Sequence, residues 1–257
     1  MHNETKLEFN EFKKFAETIS ESVGLIAVEK FDTDYKSWNK TDGTIVTEVD
    51  IFIEEVLRAK IKESYPTHSI TGEECKDLKT NSPYTWILDP LDGTLNFSFG
   101  IPFYGILIGL SYNNKMMYGS YRLPSYGNIF CAGGEQNFYA NGFNTSSKSS
   151  VSLNNSLVLT TDENRILRSE YYEAWKALNH CGPVVRTWGD CFGYHMIISG
   201  KADIMFDIGL KACDILPIVP ILESCNLSVI WLNPPSFEDI VVCKEELEKD
   251  VRKLFKL

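Results

Sequence analysis

In the run Trp86-Ile87-Leu88-Asp89-Pro90-Leu91-Asp92-Gly93-Thr94 an apolar stretch ends on a carboxylate, and a second carboxylate follows three residues later. Pro90 has a fixed φ, and Gly93-Thr94 opens the next element. Two carboxylates delivered to one end of a strand, with no Lys or Arg among them, call for a cation from outside. An oxygen-only donor set selects a hard ion, and Mg2+ is the usual one beside phosphate. A Pro-Asp-Gly turn would explain four of these residues by itself. It does not explain Asp89 at the strand end, or the acids that follow.

Three further acidic positions sit where the local pattern changes. Gly72-Glu73-Glu74 follows a short apolar run, Asp50 opens a helix after Thr47-Glu48-Val49, and Asp214 opens another after Gly209-Leu210-Lys211-Ala212-Cys213. Singly, each has an ordinary explanation. Glu73-Glu74 reads as a solvated turn, and Asp50 and Asp214 read as carboxylates favoured by a helix dipole. Together with Asp89 and Asp92 they describe a metal-binding cluster.

The elements that must position these groups follow from periodicity. Phe12, Phe15, Ile19, Val23 and Ile26 repeat at helical spacing and predict an amphipathic helix over residues 5–29, with its aromatic stripe in the core. Val49, Ile53, Val56, Leu57 and Ile61 predict a second from Thr47 to Ser64, with Thr47 and Asp50 forming a capping-box-like start. Strand patterns cover His68–Thr71, Tyr84–Asp89, Phe103–Tyr112, Lys115–Arg122 and Asn128–Ala132, a meander of hairpins punctuated by Asn113-Asn114 and Ser125-Tyr126-Gly127. Asn137–Ser150 is polar and reads as loop. Strands Leu157–Thr161, Val184–Thr187, Ile204–Asp207, Ser228–Trp231 and Ile240–Cys243 then alternate with helices Arg165–Asn179, Cys191–Ser199, Asp214–Ser224 and Glu245–Phe255. Helix pair, antiparallel sheet and βαβ units make a layered α/β protein. The expected division is a lobe over residues 1–145, carrying most metal ligands, and a βαβ lobe over 146–257, carrying the substrate-recognition segments and the last ligand.

Composition narrows the function classes. The 257 residues include 44% hydrophobic and 23% charged, with a net charge of −10. No Lys/Arg block is present, which argues against nucleic acid and anionic membrane as partners. An acidic protein that handles phosphate must interpose cations. No stretch reaches membrane-span length and the first residues form no signal peptide, so a cytoplasmic location is expected. The seven cysteines (75, 131, 181, 191, 213, 225 and 243) contain no C-x-x-C pair and read as reduced, partly buried thiols. His2, His68, His180 and His195 are not spaced with them for a structural zinc site. A G-x-S-x-G elbow and a G-x-x-x-x-G-K-[ST] loop are both missing, so neither serine-hydrolase nor P-loop chemistry is expected.

Gly72-Glu73-Glu74, the run Trp86–Phe97, and Gly100-Ile101-Pro102-Phe103 resemble the inositol monophosphatase family. So do Thr47-Glu48-Val49-Asp50 and Gly200-Lys201-Ala202-Asp203 with Asp214 downstream. The resemblance spans nearly the whole chain in the same order. It implies a layered αβαβα sandwich, Mg2+-dependent and Li+-sensitive hydrolysis of phosphate monoesters, and a homodimer. It matches Glu73, Asp89 and the carbonyl of Leu91 to the ligands of a first metal, and Asp89, Asp92 and Asp214 to those of a second. It counts Glu73 with Asp50 and Thr94 as catalytic; the last two orient and activate the attacking water. Gly93 and Thr94 supply the N–H groups that hold phosphate.

Elementary chemistry agrees with these roles. Monoester hydrolysis is extremely slow in water. Two divalent ions activate water and neutralise the charge on phosphate and leaving oxygen. A carboxylate such as Asp89 has two oxygens with which to bridge them. Gly93 permits close approach of backbone to phosphate, and a hydroxyl at Thr94 can relay a proton toward Asp50.

The distal half should choose the alcohol. Arg186-Thr187-Trp188-Gly189-Asp190-Cys191-Phe192-Gly193-Tyr194, and Gly209-Leu210-Lys211 followed by Asp214, Pro217, Val219 and Pro220, resemble the histidinol-phosphate phosphatase branch. Histidinol phosphate carries an ammonium and an imidazole, whereas inositol offers only hydroxyls. Asp190 and Asp207, with Gly189, are the substrate-binding candidates, because two carboxylates suit a cationic amino alcohol. Asp190 is equally placed to cap the following helix. Histidinol phosphate is therefore the first expectation and inositol phosphate the second.

Other monoesters fit less well. A 3′-phosphoadenosine phosphate phosphatase would want insertions that this chain lacks. A fructose-1,6-bisphosphatase would want cations for a second phosphate, for which Arg186, Lys201 and Lys211 are candidates. A non-catalytic metal-binding regulator is the alternative from another class, disfavoured because every ligand and water-activating position is filled. Two departures from the family stand out. Cys213 replaces the usual aromatic before the last ligand, opening space or loosening Asp214, and Glu223-Ser224-Cys225-Asn226 replaces a Glu-Ala-Gly-Gly turn.

Overall fold

The computed structural model describes residues 6–143 and 152–257. The first helix, Phe9–Lys30, buries Phe12, Ala16, Ile19, Val23 and Ala27, three to four positions apart. The second, Glu48–Ser64, buries Ile53, Leu57 and Ile61 in the same rhythm. Both stripes face a six-stranded sheet, with Trp86, Leu88, Ile106 and Ile108 in the shared core. The strand order is Ser69–Gly72, Tyr84–Asp92, Gly105–Tyr112, Lys115–Leu123, Ile129–Gly134 and Asn137–Ala140. The first pair is parallel and the rest form an antiparallel meander.

The opposite face of this sheet packs on Asp190–Ile198, Ala212–Ile215 and Val219–Ser224. Leu107 and Tyr121 from the sheet join Phe192, Ile197, Ile215 and Ile221 in a second core. Beyond these helices lies a five-stranded sheet in the order Val184–Arg186, Leu157–Leu159, Ile204–Asp207, Ile240–Lys244, Leu227–Trp231. Parallel pairing in its first three strands gives way to antiparallel pairing in the last two. Tyr172–His180 and Glu248–Phe255 close the far side, burying Trp175, Leu178 and Val251 against Val158 and Phe206. Five layers result, an αβαβα sandwich, as the resemblance implied.

Several sequence expectations change. The helix predicted over Arg165–Asn179 is two, Glu163–Leu167 and Tyr172–His180, because Asp162 caps the first and its last turn closes at Arg168. The helix predicted over Asp214–Ser224 is also two, Ala212–Ile215 and Val219–Ser224. The residue before Pro217 is disfavoured in a continuing helix, and Pro220 lies in the first turn of the second piece. The segment read as loop over Asn137–Ser150 begins with the strand Asn137–Ala140, paired to Cys131–Gly134. A hairpin of Ser37–Asn39 and Ile45–Thr47 was not expected, since its three-residue strands are too short to show an alternating pattern. The expected lobe boundary at 145/146 and the rest of that loop, residues 144–150, lie outside the described residues. No helix among the described residues is long and apolar enough to cross a membrane.

Candidate active site

The Tyr84–Asp92 strand delivers both aspartates to one cleft by way of an irregularity. Residues three apart on a regular strand point to opposite faces. Here Asp89 pairs with Leu107 while Asp92 pairs with Gly105, so the register slips between them. The slip restores the shared face, and Asp89 and Asp92 line the same cavity of about 640 Å3. Gly93 then takes φ +83, and its missing Cβ would lie 2.8 Å from Phe103 O. This left-handed residue turns the chain straight into the Thr94–Ser98 helix. The first-turn amides, those of Gly93 and Thr94 included, have no acceptors within the helix itself.

The second helix brings in Asp50 through its cap. Asp50 Oδ2 accepts from Thr47 N (2.9 Å) and from the Thr47 hydroxyl, while Thr47 Oγ1 accepts from Val49 N and Asp50 N. The remaining oxygen, Oδ1, accepts from Thr94 Oγ1 at 2.7 Å. Thr94 Oγ1 is also 2.9 Å from Leu91 O, so two acceptors share the range of one proton. Burial pushes the Asp50 carboxyl up despite these bonds.

Glu73 arrives from the turn after Ser69–Gly72, and a buried ion pair shapes that turn. Glu54 accepts from Glu74 N at 2.7 Å, Cys75 N at 3.2 Å and Arg58 Nε at 2.6 Å. Only glycine fits at 72, where a Cβ would lie 2.1 Å from Glu54 Oε1. Glu73 Oε1 in turn accepts from Lys40 Nζ (2.8 Å) and Lys211 Nζ (3.0 Å). Burial would raise Glu73, but the two ammonium groups outweigh it and hold the carboxyl below its ordinary range. Its neighbour Glu74, with Lys40 alone, is raised by burial to about 7.

Asp214 completes the cluster from the second half, its Oδ2 accepting from Lys211 N at 2.9 Å. Ligand atoms of Glu73, Asp89, Cys213 and Asp214 all lie within 4.8 Å of one another. Burial raises Asp89, Asp92 and Asp214, and their mutual charge raises them further. Such a set holds protons unless a cation replaces them. Four carboxylates and the Leu91 carbonyl at one end of a cleft fit a hard divalent ion, with Lys40 and Lys211 supplying positive charge at Glu73. Of the ligand positions expected from the sequence, Glu73, Asp89 and Asp214 converge, Leu91 and Asp92 line the same cavity, and Asp50 is joined to Thr94.

Asp190, Asp207, Gly189 and Arg165 line the same cavity, with Asp190 Oδ2 only 3.3 Å from where a Cβ at Gly93 would lie. Asp207 accepts from Thr161 N (2.8 Å) and Thr161 Oγ1 (2.9 Å), and burial raises it to about 6. Asp190 adopts φ +51, and burial together with Asp207 raises it to about 7. The alternative reading of Asp190 as a helix cap is not what forms. Gly189 occupies the cap position, and Asp190 Oδ2 instead accepts from Asn96 Nδ2 at 2.9 Å. Asn96 also donates to Phe103 O, so it ties Asp190 to the segment that leads into the Gly105–Tyr112 strand. A second tie runs from Cys191 N to Asp92 Oδ2.

Lys40, Glu54, Asn96 and Thr161 were missed by sequence reasoning. Glu54 alone carried a signal, being flanked by the apolar positions Ile53 and Leu57 and four residues before Arg58. The others act across long loops that leave no spacing pattern.

Comparison with known proteins agrees with this fold. The chain is 28% identical over 209 residues to a histidinol-phosphatase from Chlorobaculum parvum, covering 81% of each. It is 28% identical over 223 residues to human inositol monophosphatase 1, covering 80% of this chain and 78% of the relative. A solved IMPase/NADP phosphatase complexed with Mg2+ and phosphate superimposes with a TM-score of 0.81 at 17% identity, covering 96% of this chain and 95% of that one. The model of the inositol monophosphatase family matches residues 2–237. With fold, carboxylate cluster and family model in agreement, the chain belongs to the inositol monophosphatase family.

Proposed function

We propose that this phosphatase is a Mg2+-dependent hydrolase of a small phosphorylated amino alcohol, histidinol phosphate in the first place, and that it works as a homodimer. The observation that carries the substrate reading is the pairing of Asp190 and Asp207 with the metal-binding carboxylates in one cavity. Two buried carboxylates at the alcohol end favour a cationic ligand, whose charge would hold them ionised. A neutral polyol would offer them hydroxyls but no compensating charge.

Glu73, Asp89, Asp92, Asp214 and the Leu91 carbonyl would hold the metal, which when bound supplies Lewis acidity and a more acidic water. Thr94 Oγ1, which donates to Asp50 Oδ1 at 2.7 Å, would take a proton from an attacking water as its own proton moves to Asp50. The first-turn amides at Gly93 and Thr94 steady the phosphate oxygens. Asp190 and Asp207 orient the alcohol so that its oxygen departs away from Thr94.

Matched kcat/KM values with Mg2+ for histidinol phosphate and inositol 1-phosphate test the reading. A large preference for the former is expected. A preference for inositol 1-phosphate would overturn the substrate assignment and leave the hydrolytic machinery in place. Activity on neither, with Mg2+ bound, would remove both.

A further inference from the structure

Three parallel strands of the second sheet bring the alcohol-binding candidates together. Leu157–Leu159 lies between Val184–Arg186 and Ile204–Asp207, and all three run in the same direction. In open α/β sheets ligands gather outside the carboxyl ends of such strands. Asp207 ends one outer strand, Asp190 follows the other at the head of its helix, and Thr161 follows the strand between them. A residue placed there can reach both acids, and Thr161 does. Its N and Oγ1 donate to the two oxygens of Asp207, at 2.8 and 2.9 Å. Its Oγ1 also accepts from Asp190 N at 2.9 Å. A hydroxyl has one proton, and here it is committed to Asp207. Gly189 makes the approach possible. Its φ of −95 does not call for glycine, yet a Cβ there would lie 2.2 Å from Thr161 Cα and 2.3 Å from Thr161 Oγ1.

We propose that Thr161 is a positioning residue that locks Asp190 and Asp207 into one recognition unit for the substrate alcohol, with Gly189 leaving the room it needs. The proposal rests on the reading of those acids as the alcohol-binding pair, and adds the group that sets their mutual geometry. Thr161 acts through the two acids rather than on the substrate. At Asp207 burial pushes the carboxyl up, and the two donors of Thr161 oppose it by favouring the ionised form. At Asp190 the same hydroxyl fixes the backbone of a residue held at φ +51. Loss of the hydroxyl takes a donor from Asp207 Oδ2 and an acceptor from Asp190 N in one step, so the two acids lose their register together.

The test measures kcat and KM with Mg2+ for histidinol phosphate and inositol 1-phosphate in the full chain and in Thr161→Val, Thr161→Ser and Gly189→Ala. Valine keeps the backbone N–H and the branched shape but has no hydroxyl. Thr161→Val should raise KM for whichever monoester the wild type prefers by about 10- to 100-fold, as for loss of a hydrogen bond to a charged group. The change in kcat should be smaller, and the preference between the two monoesters should collapse. Serine restores the hydroxyl, so Thr161→Ser should keep KM and the preference near wild type. Gly189→Ala should reproduce the valine variant, and carries the comparison with serine if the valine variant does not fold. A preference that survives in the valine and alanine variants overturns the proposal, as does a loss confined to kcat or one that serine does not rescue. A wild-type preference for inositol 1-phosphate overturns the amino-alcohol reading alone, because the collapse is then read on that substrate. No preference in the wild type, or turnover of neither monoester, overturns both.

Discussion

Thr94 Oγ1 donates to Asp50 Oδ1 at 2.7 Å, joining two residues 44 positions apart. The contact depends on the capping box, which uses the other Asp50 oxygen to start the second helix. One carboxylate thus serves the helix cap with one oxygen and, on the mechanism proposed here, the reaction with the other.

Thr94→Val should therefore lower kcat by about 10^2- to 10^4-fold, the usual worth of positioned proton transfer. Mg2+ affinity should be preserved, since no ligand is removed. Asp50→Asn should show a similar kinetic loss, and a stability loss of about 1 kcal/mol from the altered cap. Single-turnover rates and calorimetric Mg2+ binding separate these effects. Full activity in Thr94→Val would dismiss the proton relay.

On the proposed ligand set, Asp89→Asn is expected to abolish turnover, because a neutral amide is a far weaker ligand for a hard divalent ion. The metal-free fold should survive and gain stability, as a charge is removed from a buried acidic cluster. Thermal unfolding in chelator reads the gain, and phosphate release reads the loss. Retained hydrolysis would refute the ligand assignment.

Stability of the metal-free protein should fall as pH rises from about 4 to about 7. Asp207 is held up at about 6, and Asp190 and Glu74 at about 7. Carboxylates of the unfolded chain titrate near ~4. Over this window the folded state holds more protons than the unfolded one, so stability falls with pH. Glu73, held low, works in the opposite direction but is one group against several. Melting temperatures at pH 5 and pH 8 in chelator should differ in that sense, and saturating Mg2+ should erase most of the difference. A higher melting temperature at pH 8 in chelator would contradict the electrostatics.

Asp190→Asn should reduce kcat/KM for histidinol phosphate by about 10- to 100-fold, as expected for loss of a charged hydrogen bond worth about 1.5–3 kcal/mol. Inositol phosphates should be far less affected. Asparagine tolerates the φ of +51 at this position, so the backbone has no cause to move. Equal losses on both substrates would make Asp190 a structural residue that merely fixes Asn96.

Glu54→Gln should weaken Mg2+ binding by roughly 10- to 100-fold, the usual effect of losing an outer-shell partner. Glu54 touches no phosphate or alcohol; it acts by fixing the Glu73–Glu74 turn. Calorimetry is the direct measure. An unchanged affinity, with the melting temperature lowered, would confine Glu54 to holding Arg58.

The acidic positions that converge on the cleft stood out in the sequence because they accompany local chain events: an apolar run ending on Asp89, a glycine after Asp92, a cap at Thr47. Both long N-terminal helices were visible for the same reason, through uninterrupted apolar periodicity. Where helices broke, the apolar pattern ran on through the interruption, as across Leu216–Ile218, and concealed it. The slip between Asp89 and Asp92 was out of reach, since a bulge is defined by the partner strand and not by its own residues. Lys40 at Glu73 and Asn96 at Asp190 were hidden likewise, because both contacts close only when distant segments meet.

The two bonds that tie the Asp190–Ile198 helix to the Asp92–Asn96 segment, Asn96 to Asp190 and Cys191 N to Asp92, have a consequence for descent. On the function proposed here, bond cleavage would draw mainly on the first sheet and the choice of alcohol on Thr161, Asp190 and Asp207. Substitutions around Thr161, Asp190 and Asp207 can thus retarget the catalyst while the hydrolytic centre is inherited intact. The freedom has a limit, because each retargeting must keep an acceptor for Asn96 and a backbone donor for Asp92.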